Sequence, residues 1–187
     1  ATGPVCIIDQ RCAAGVNLDG AVFSPSTLGY EMKQPFMMFY SDHDIMYQML
    51  LGNDADTEDL ANNHWLYDLH YEDFETAGLR TDIHRIEMSQ VTHTGLTDYP
   101  LFMRRPLRNP ILGSAPTDII MGAQNDFIVG FFDTYLRGIE NGFPQPQIDA
   151  YSDYIERRDV SHVREWWLSK SENERALIKE EIAKVRR

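Results

Sequence analysis

Five consecutive apolar residues, Phe36 to Tyr40, follow Pro35 and stop at Ser41-Asp42. An uninterrupted run of this length fits a parallel strand buried on both faces better than a half-exposed antiparallel one. A strand covered on both sides needs a layer of structure above and below it, which points to an α/β architecture. Two further runs fit the same sheet. Cys12 to Leu18 reads as a strand, and the run after Asp82 puts Ile86 and Met88 on one face and Arg85 and Glu87 on the other.

The ends of these runs carry the reactive side chains. The first closes in Asp19-Gly20, a carboxylate followed by a residue that permits a tight exit. The third breaks at Ser89-Gln90 and delivers His93 onto a loop with Thr92, Thr94, Gly95 and Thr97. Open α/β sheets keep their working groups just past the C-terminal ends of strands. A single loop histidine is ordinarily a solvated imidazole, but here an acid occupies the equivalent place about seventy residues earlier. Acid before histidine is the chain order of α/β-hydrolases.

The motifs resemble those of the C-terminal half of an α/β-hydrolase, in particular the platelet-activating-factor acetylhydrolase-like and dienelactone-hydrolase-like esterases. Leu18-Asp19 matches the strand end that carries the triad acid in that group. Gln34-Pro35 matches the start of the next strand, and Ser41-Asp42 its end. His93, Leu96, Thr97, Asp98 and Tyr99 match the pattern opened by the triad histidine. The resemblance covers about residues 1 to 138. It implies the last three parallel strands of the fold with flanking helices at 1–142, followed by a helical C-terminal extension at 143–187. It also implies a serine-dependent carboxylic-ester hydrolase in which Asp19 and His93 are the acid and the base. Asp42 and Asp44 are rivals for the acid, because many α/β-hydrolases carry it after the strand ending here at Tyr40; the Leu18-Asp19 match favours Asp19. Asp98 is expected to hold the histidine loop in shape.

One part of the pattern is missing. Ser24, Ser26, Ser41, Ser89 and Ser114 all lack the flanking glycines of a G-x-S-x-G elbow. Ala1 to Ile8 reads like the helix that follows the elbow, so the nucleophile is expected on an upstream N-terminal half of the same fold. Ala1 has no hydroxyl or thiol and cannot serve as an N-terminal nucleophile itself. The competing interpretation is a catalytically inactive α/β-hydrolase-like interaction module.

The net charge of −12 argues against binding a nucleic-acid backbone. No apolar run reaches the ~20 residues of a membrane span, and no signal peptide is visible. Cys6 and Cys12 are too few for a disulfide framework and match no zinc spacing, so both are expected as small core residues, with the redox compartment left open. Asp42, His43, Asp44, His64, Asp68 and His70 are potential metal ligands, but no H-e-x-x-H-like spacing organises them, and neither a metal nor a cofactor is expected.

Residues 45–79 turn helical in pattern, with methionines and aromatics at core spacing; a lid over the site is the functional alternative. Phe23 and Tyr30 are candidate liners of an acyl pocket for a small-molecule or lipid ester. The run from Met103 to Pro110 is basic and proline-punctuated, which predicts a solvated loop. Within it Arg104, Arg105 and Arg108 could meet an anionic substrate. Asp126 to Ile139 has the spacing of an amphipathic helix ended by Gly138. Phe143-Pro144-Gln145-Pro146 reads as a linker. In the tail, Ser171 and Glu174 form a capping box ahead of Ile178, Ile182 and Val185, and Val163, Trp166 and Trp167 supply an apolar patch. That patch docks the tail on the body or, alternatively, forms a homo-oligomer contact through the C-terminal helices.

Overall fold

The computed structural model describes residues 2–20, 31–42, 72 and 74–185. The expectations placed on Phe23, Tyr30, His43, Asp44, His64, Asp68 and His70, and on a lid or core helices over most of 45–79, lie outside the described residues.

The architecture is α/β. Strands β1 (Gly15–Leu18), β2 (Phe36–Tyr40) and β3 (Ile83–Met88) run parallel in that spatial order, and β4 (Ile155–Arg157) adds antiparallel to β3. Around the sheet lie α1 (Thr2–Ile8), a single turn α2 (Tyr99–Phe102), α3 (Arg105–Leu112), the long α4 (Thr117–Arg137), α5 (Gln145–Ala150), α6 (Ser161–Ser169) and α7 (Glu172–Val185).

All of β2 is buried, because alternate side chains enter different cores. Met37 and Phe39 join Ile86 and Met88 against Ile120, Ala123, Phe127 and Phe131 of α4. Phe36, Met38 and Tyr40 join Ile83 and Met32 against Cys6 of α1. Phe39 meets Phe127 edge-on, with ring centroids 5.6 Å apart. Each such fully buried aromatic contributes about 1.5–3 kcal/mol by leaving water. The strand is therefore fixed in the sheet by its own composition.

Helix α4 begins at Thr117 rather than at Asp126, because Gly122, Ala123 and the buried Gln124 dilute the apolar pattern over its first turns. It ends where expected. Gly138 takes the left-handed conformation (φ 67°) and its N–H caps Asp133.

Four local expectations change. Cys6 and Cys12 form a disulfide with Cα atoms 5.0 Å apart, tying α1 to the approach of β1. The stretch after Met103 is helix α3 and not a loop; Pro106 falls in its first turn, where a missing N–H costs nothing. Phe143 is no free linker residue, since its ring packs edge-on against Phe127, Phe131 and His84. The C-terminal extension is not purely helical. Ile155 pairs with Met88 and enters the main core, and a three-residue strand with one apolar residue carries almost no local signal.

The rest of the tail packs where its tryptophans lead. Trp167 is fully buried and stacks on Phe74 at 4.3 Å, beside Val160 and Val163. The capping box is formed: Glu174 accepts the Ser171 N–H at 2.8 Å while the Ser171 hydroxyl accepts the Glu174 N–H at 3.4 Å.

Candidate functional site

The C-terminal edge of the parallel strands gathers the candidate residues. Beyond Leu18 the Asp19 N–H donates to the Phe39 carbonyl at 2.8 Å, so the ladder extends one residue past β1. Asp19 itself is left-handed (φ 52°), a conformation that aspartate tolerates better than most side chains. Asn17 closes the turn around it. Its Nδ2 donates to the Gly20 carbonyl at 2.8 Å and its Oδ1 accepts the Gly20 N–H at 2.9 Å. A Cβ at position 20 would fall 2.6 Å from that Asn17 oxygen, so a larger residue there would displace the Asn17 side chain from its two bonds.

The chain reversal turns the Asp19 carboxylate toward β2. The Ser41 N–H donates to Oδ1 at 3.0 Å and the Ser41 hydroxyl donates to Oδ2 at 2.6 Å. Nδ1 of His93 approaches the same Oδ2 at 2.8 Å. Three donors thus converge on one carboxylate that is itself only 7% exposed. Bonds of this charge-assisted kind are shorter and about twice as strong as neutral ones. With Asp19 as acceptor, the His93 proton sits on Nδ1, which leaves Nε2 to accept one from outside. The ring is 62% exposed, and among the described residues nothing bonds to Nε2.

His93 opens a short 3-10 turn, His93–Leu96, whose shape is set on both sides. The Thr92 hydroxyl donates to Ile111 at 2.5 Å and accepts the Gly95 N–H at 3.3 Å, while the Thr92 N–H donates to Leu112 at 3.1 Å. Gly95 lies flush against the Leu112 carbonyl, leaving no room for a Cβ. The end of α3 therefore serves as the bed of the histidine turn.

The remaining sequence candidates are placed as follows. Asp42 does not meet the imidazole; its Oδ2 accepts the Gln90 N–H at 2.7 Å. Asp98 caps nothing with its side chain, and the support expected from it comes from Thr97, whose hydroxyl donates to Thr94 at 2.6 Å and accepts the Tyr99 N–H at 3.2 Å. Arg108 lines an open depression of about 720 Å³ between α2, α3 and the start of α4, with Leu101, Ser114 and Met121. Among the described residues no three His, Cys, Asp or Glu side chains gather as a metal site.

Two contributors escape sequence reasoning. Ser41 reads only as a strand terminus, yet it holds both carboxylate oxygens of Asp19. Asn17 reads as an ordinary strand residue, yet it staples the turn. For Ser41 the signal appears only once β1 and β2 are paired in register, whereas for Asn17 it is local, an Asn three residues before the glycine of a turn.

No protein-family model matches the sequence, and no curated protein matches it either. Among solved structures, a ferulic acid esterase from Streptomyces cinnamoneus is similar to the chain with a TM-score of 0.53 at 19% identity. The match covers 81% of this chain and 41% of the esterase, so the chain spans less than half the length of that neighbour. At this identity the likeness is one of fold: a sheet with flanking helices, as in the esterase.

Proposed function

We propose that this chain is the C-terminal half of a serine-dependent carboxylic-ester hydrolase and contributes the acid and the base of a Ser-Asp-His triad. The observation that carries the reading is the Asp19–His93 contact of 2.8 Å at the sheet edge, with the carboxylate buried and the far side of the ring open. The esterase of similar fold supports it.

In this reading the serine belongs to an N-terminal half of the same fold that pairs with the present one. Its hydroxyl hydrogen-bonds to Nε2 of His93. As the serine oxygen attacks the ester carbonyl, its proton passes to Nε2, and the tetrahedral oxyanion is held by backbone N–H groups of that same half. The imidazolium then returns the proton to the departing alkoxide, and water repeats the cycle on the acyl-enzyme. Asp19 keeps the ring in one tautomer and offsets its positive charge, while Ser41 keeps Asp19 from turning away. Tyr99, Leu101 and Phe102 stand exposed shortly after the histidine and offer apolar contacts to an acyl or alcohol group.

The second reading, an inactive interaction module, draws on a specific observation. Among the described residues no serine reaches the open side of His93; Ser41 is bonded to Asp19 and Ser114 to Gln90. A fluorophosphonate probe separates the two in the full protein. The hydrolase reading predicts one phosphonylated serine upstream of Ala1, with fluoride released, and loss of labelling in His93→Ala. Absence of any labelled serine in the wild type supports the inactive module.

A further inference from the structure

Strand β2 ends in two polar residues, and the hydrolytic reading uses only the first. Ser41 grips the acid. Asp42 reaches the other side of the site: its N–H donates to the Val91 carbonyl at 2.9 Å and its Oδ2 accepts the Gln90 N–H at 2.7 Å. Gln90 is the corner where the chain leaves β3, and its backbone is left-handed (φ 60°) without being glycine. Such a conformation persists only where the surroundings impose it. Here they do so from three sides. Besides the bond to Asp42, the Gln90 carbonyl accepts the Ala115 N–H at 3.0 Å and its Oε1 accepts the Ser114 hydroxyl at 3.0 Å. Gly113 leaves the space that this carbonyl needs. Three residues beyond this corner stands His93.

We propose that Asp42 is a positioning residue that fixes the Gln90 corner and thereby aims His93 at Asp19, touching neither the imidazole nor the substrate. Adjacent residues of one strand then set both members of the pair, Ser41 the carboxylate and Asp42 the ring. Without Oδ2 the Gln90 N–H loses its acceptor and the corner relaxes toward ordinary negative φ, carrying the start of the histidine turn with it. A shift of about 1 Å in a catalytic group costs ~10²-fold in rate. Only the kinetic arm of the test rests on the hydrolytic reading.

The test compares Asp42→Ala with Asp42→Asn in the full protein. Asparagine keeps an acceptor oxygen at the same reach and discards the charge. Asp42→Ala is expected to lower kcat by ~10- to 100-fold with KM within about twofold, and to abolish the proton NMR signal of the His93 Nδ1–H, assigned by its absence in His93→Ala. Asp42→Asn is expected to keep the signal and to recover kcat to within about threefold of wild type. An Asp42→Ala protein with signal and rate intact overturns the proposal. So does an Asp42→Asn protein that keeps the signal but loses the rate, because the charge itself would then act in the chemistry. If Asp42→Ala does not fold, Asp42→Ser takes its place, since its hydroxyl stops short of the Gln90 N–H and predicts the same losses. A wild-type protein whose signal depends on Asp42 but which hydrolyses no ester upholds the positioning role and defeats the hydrolase reading.

Discussion

Strand β3 and the turn it feeds both carry polar side chains, and they treat them in opposite ways. Within the strand, His84 is 2% exposed and bonds through Nε2 to the Tyr135 hydroxyl at 2.7 Å, ringed by Phe131, Phe143 and Tyr135. Next to it Arg85, 4% exposed, donates to Glu72 at 2.7 Å, and the fully buried Glu72 also accepts the N–H groups of Gly78 and Arg80. Past the strand, His93 bonds to its carboxylate through one nitrogen and keeps the other face open. A histidine type alone therefore distinguishes nothing. What separates the two is whether the ring is closed in by its neighbours or has a nitrogen left to work on an outside molecule.

The largest effect expected inside the strand is on stability. Glu72→Ala removes a buried carboxylate paired with a buried guanidinium and leaves two N–H groups without their acceptor. Breaking a buried pair in this way costs about 3–5 kcal/mol. Urea denaturation of the variant measures it, and a loss below about 1 kcal/mol would place the Glu72–Arg85 contact among weak surface pairs.

A smaller effect follows from His84. Burial in the aromatic cluster, reinforced by the nearby Arg157 cation and opposed in part by Asp82, pushes its pKa down from 6.5 to about 4. The unfolded chain takes up a proton as pH falls through about 6.5, whereas the folded one resists until about 4, so stability falls with falling pH across that window and levels off below it. The total is of the order of 3 kcal/mol for this group. Thermal melting of wild type and His84→Phe between those pH values checks the sign, because the variant is expected to lose this part of the slope. An identical slope in both proteins would relocate the pH dependence to other groups.

The candidate pair is more legible in the sequence than the scaffold around it. Asp19 and His93 could be picked out because each follows a strand-like run, and strand ends are where an α/β sheet exposes side chains. Strand β2 could be bounded because its five residues are apolar without a break. The elements that stayed hidden depend on partners distant in sequence. Strand β4 exists because β3 offers it an edge, and α3 exists despite Pro110 because its last carbonyls hold Thr92. The disulfide is a local exception: its cysteines are six residues apart, and they pair only because the turn between α1 and β1 brings them together. Ser41 and Asp42 looked like the polite end of a strand, and their bonds to Asp19 and Gln90 emerge only from the lateral register of β1, β2 and β3.

The contrast between the two histidines reduces to one measurement: kcat/KM for a p-nitrophenyl ester in the full protein, its His93→Ala variant and its His84→Phe variant. The account predicts a loss of at least ~10³-fold for His93→Ala, with the fold retained, and a value within about threefold of wild type for His84→Phe. A His93→Ala protein that turns over the ester as fast as wild type contradicts it.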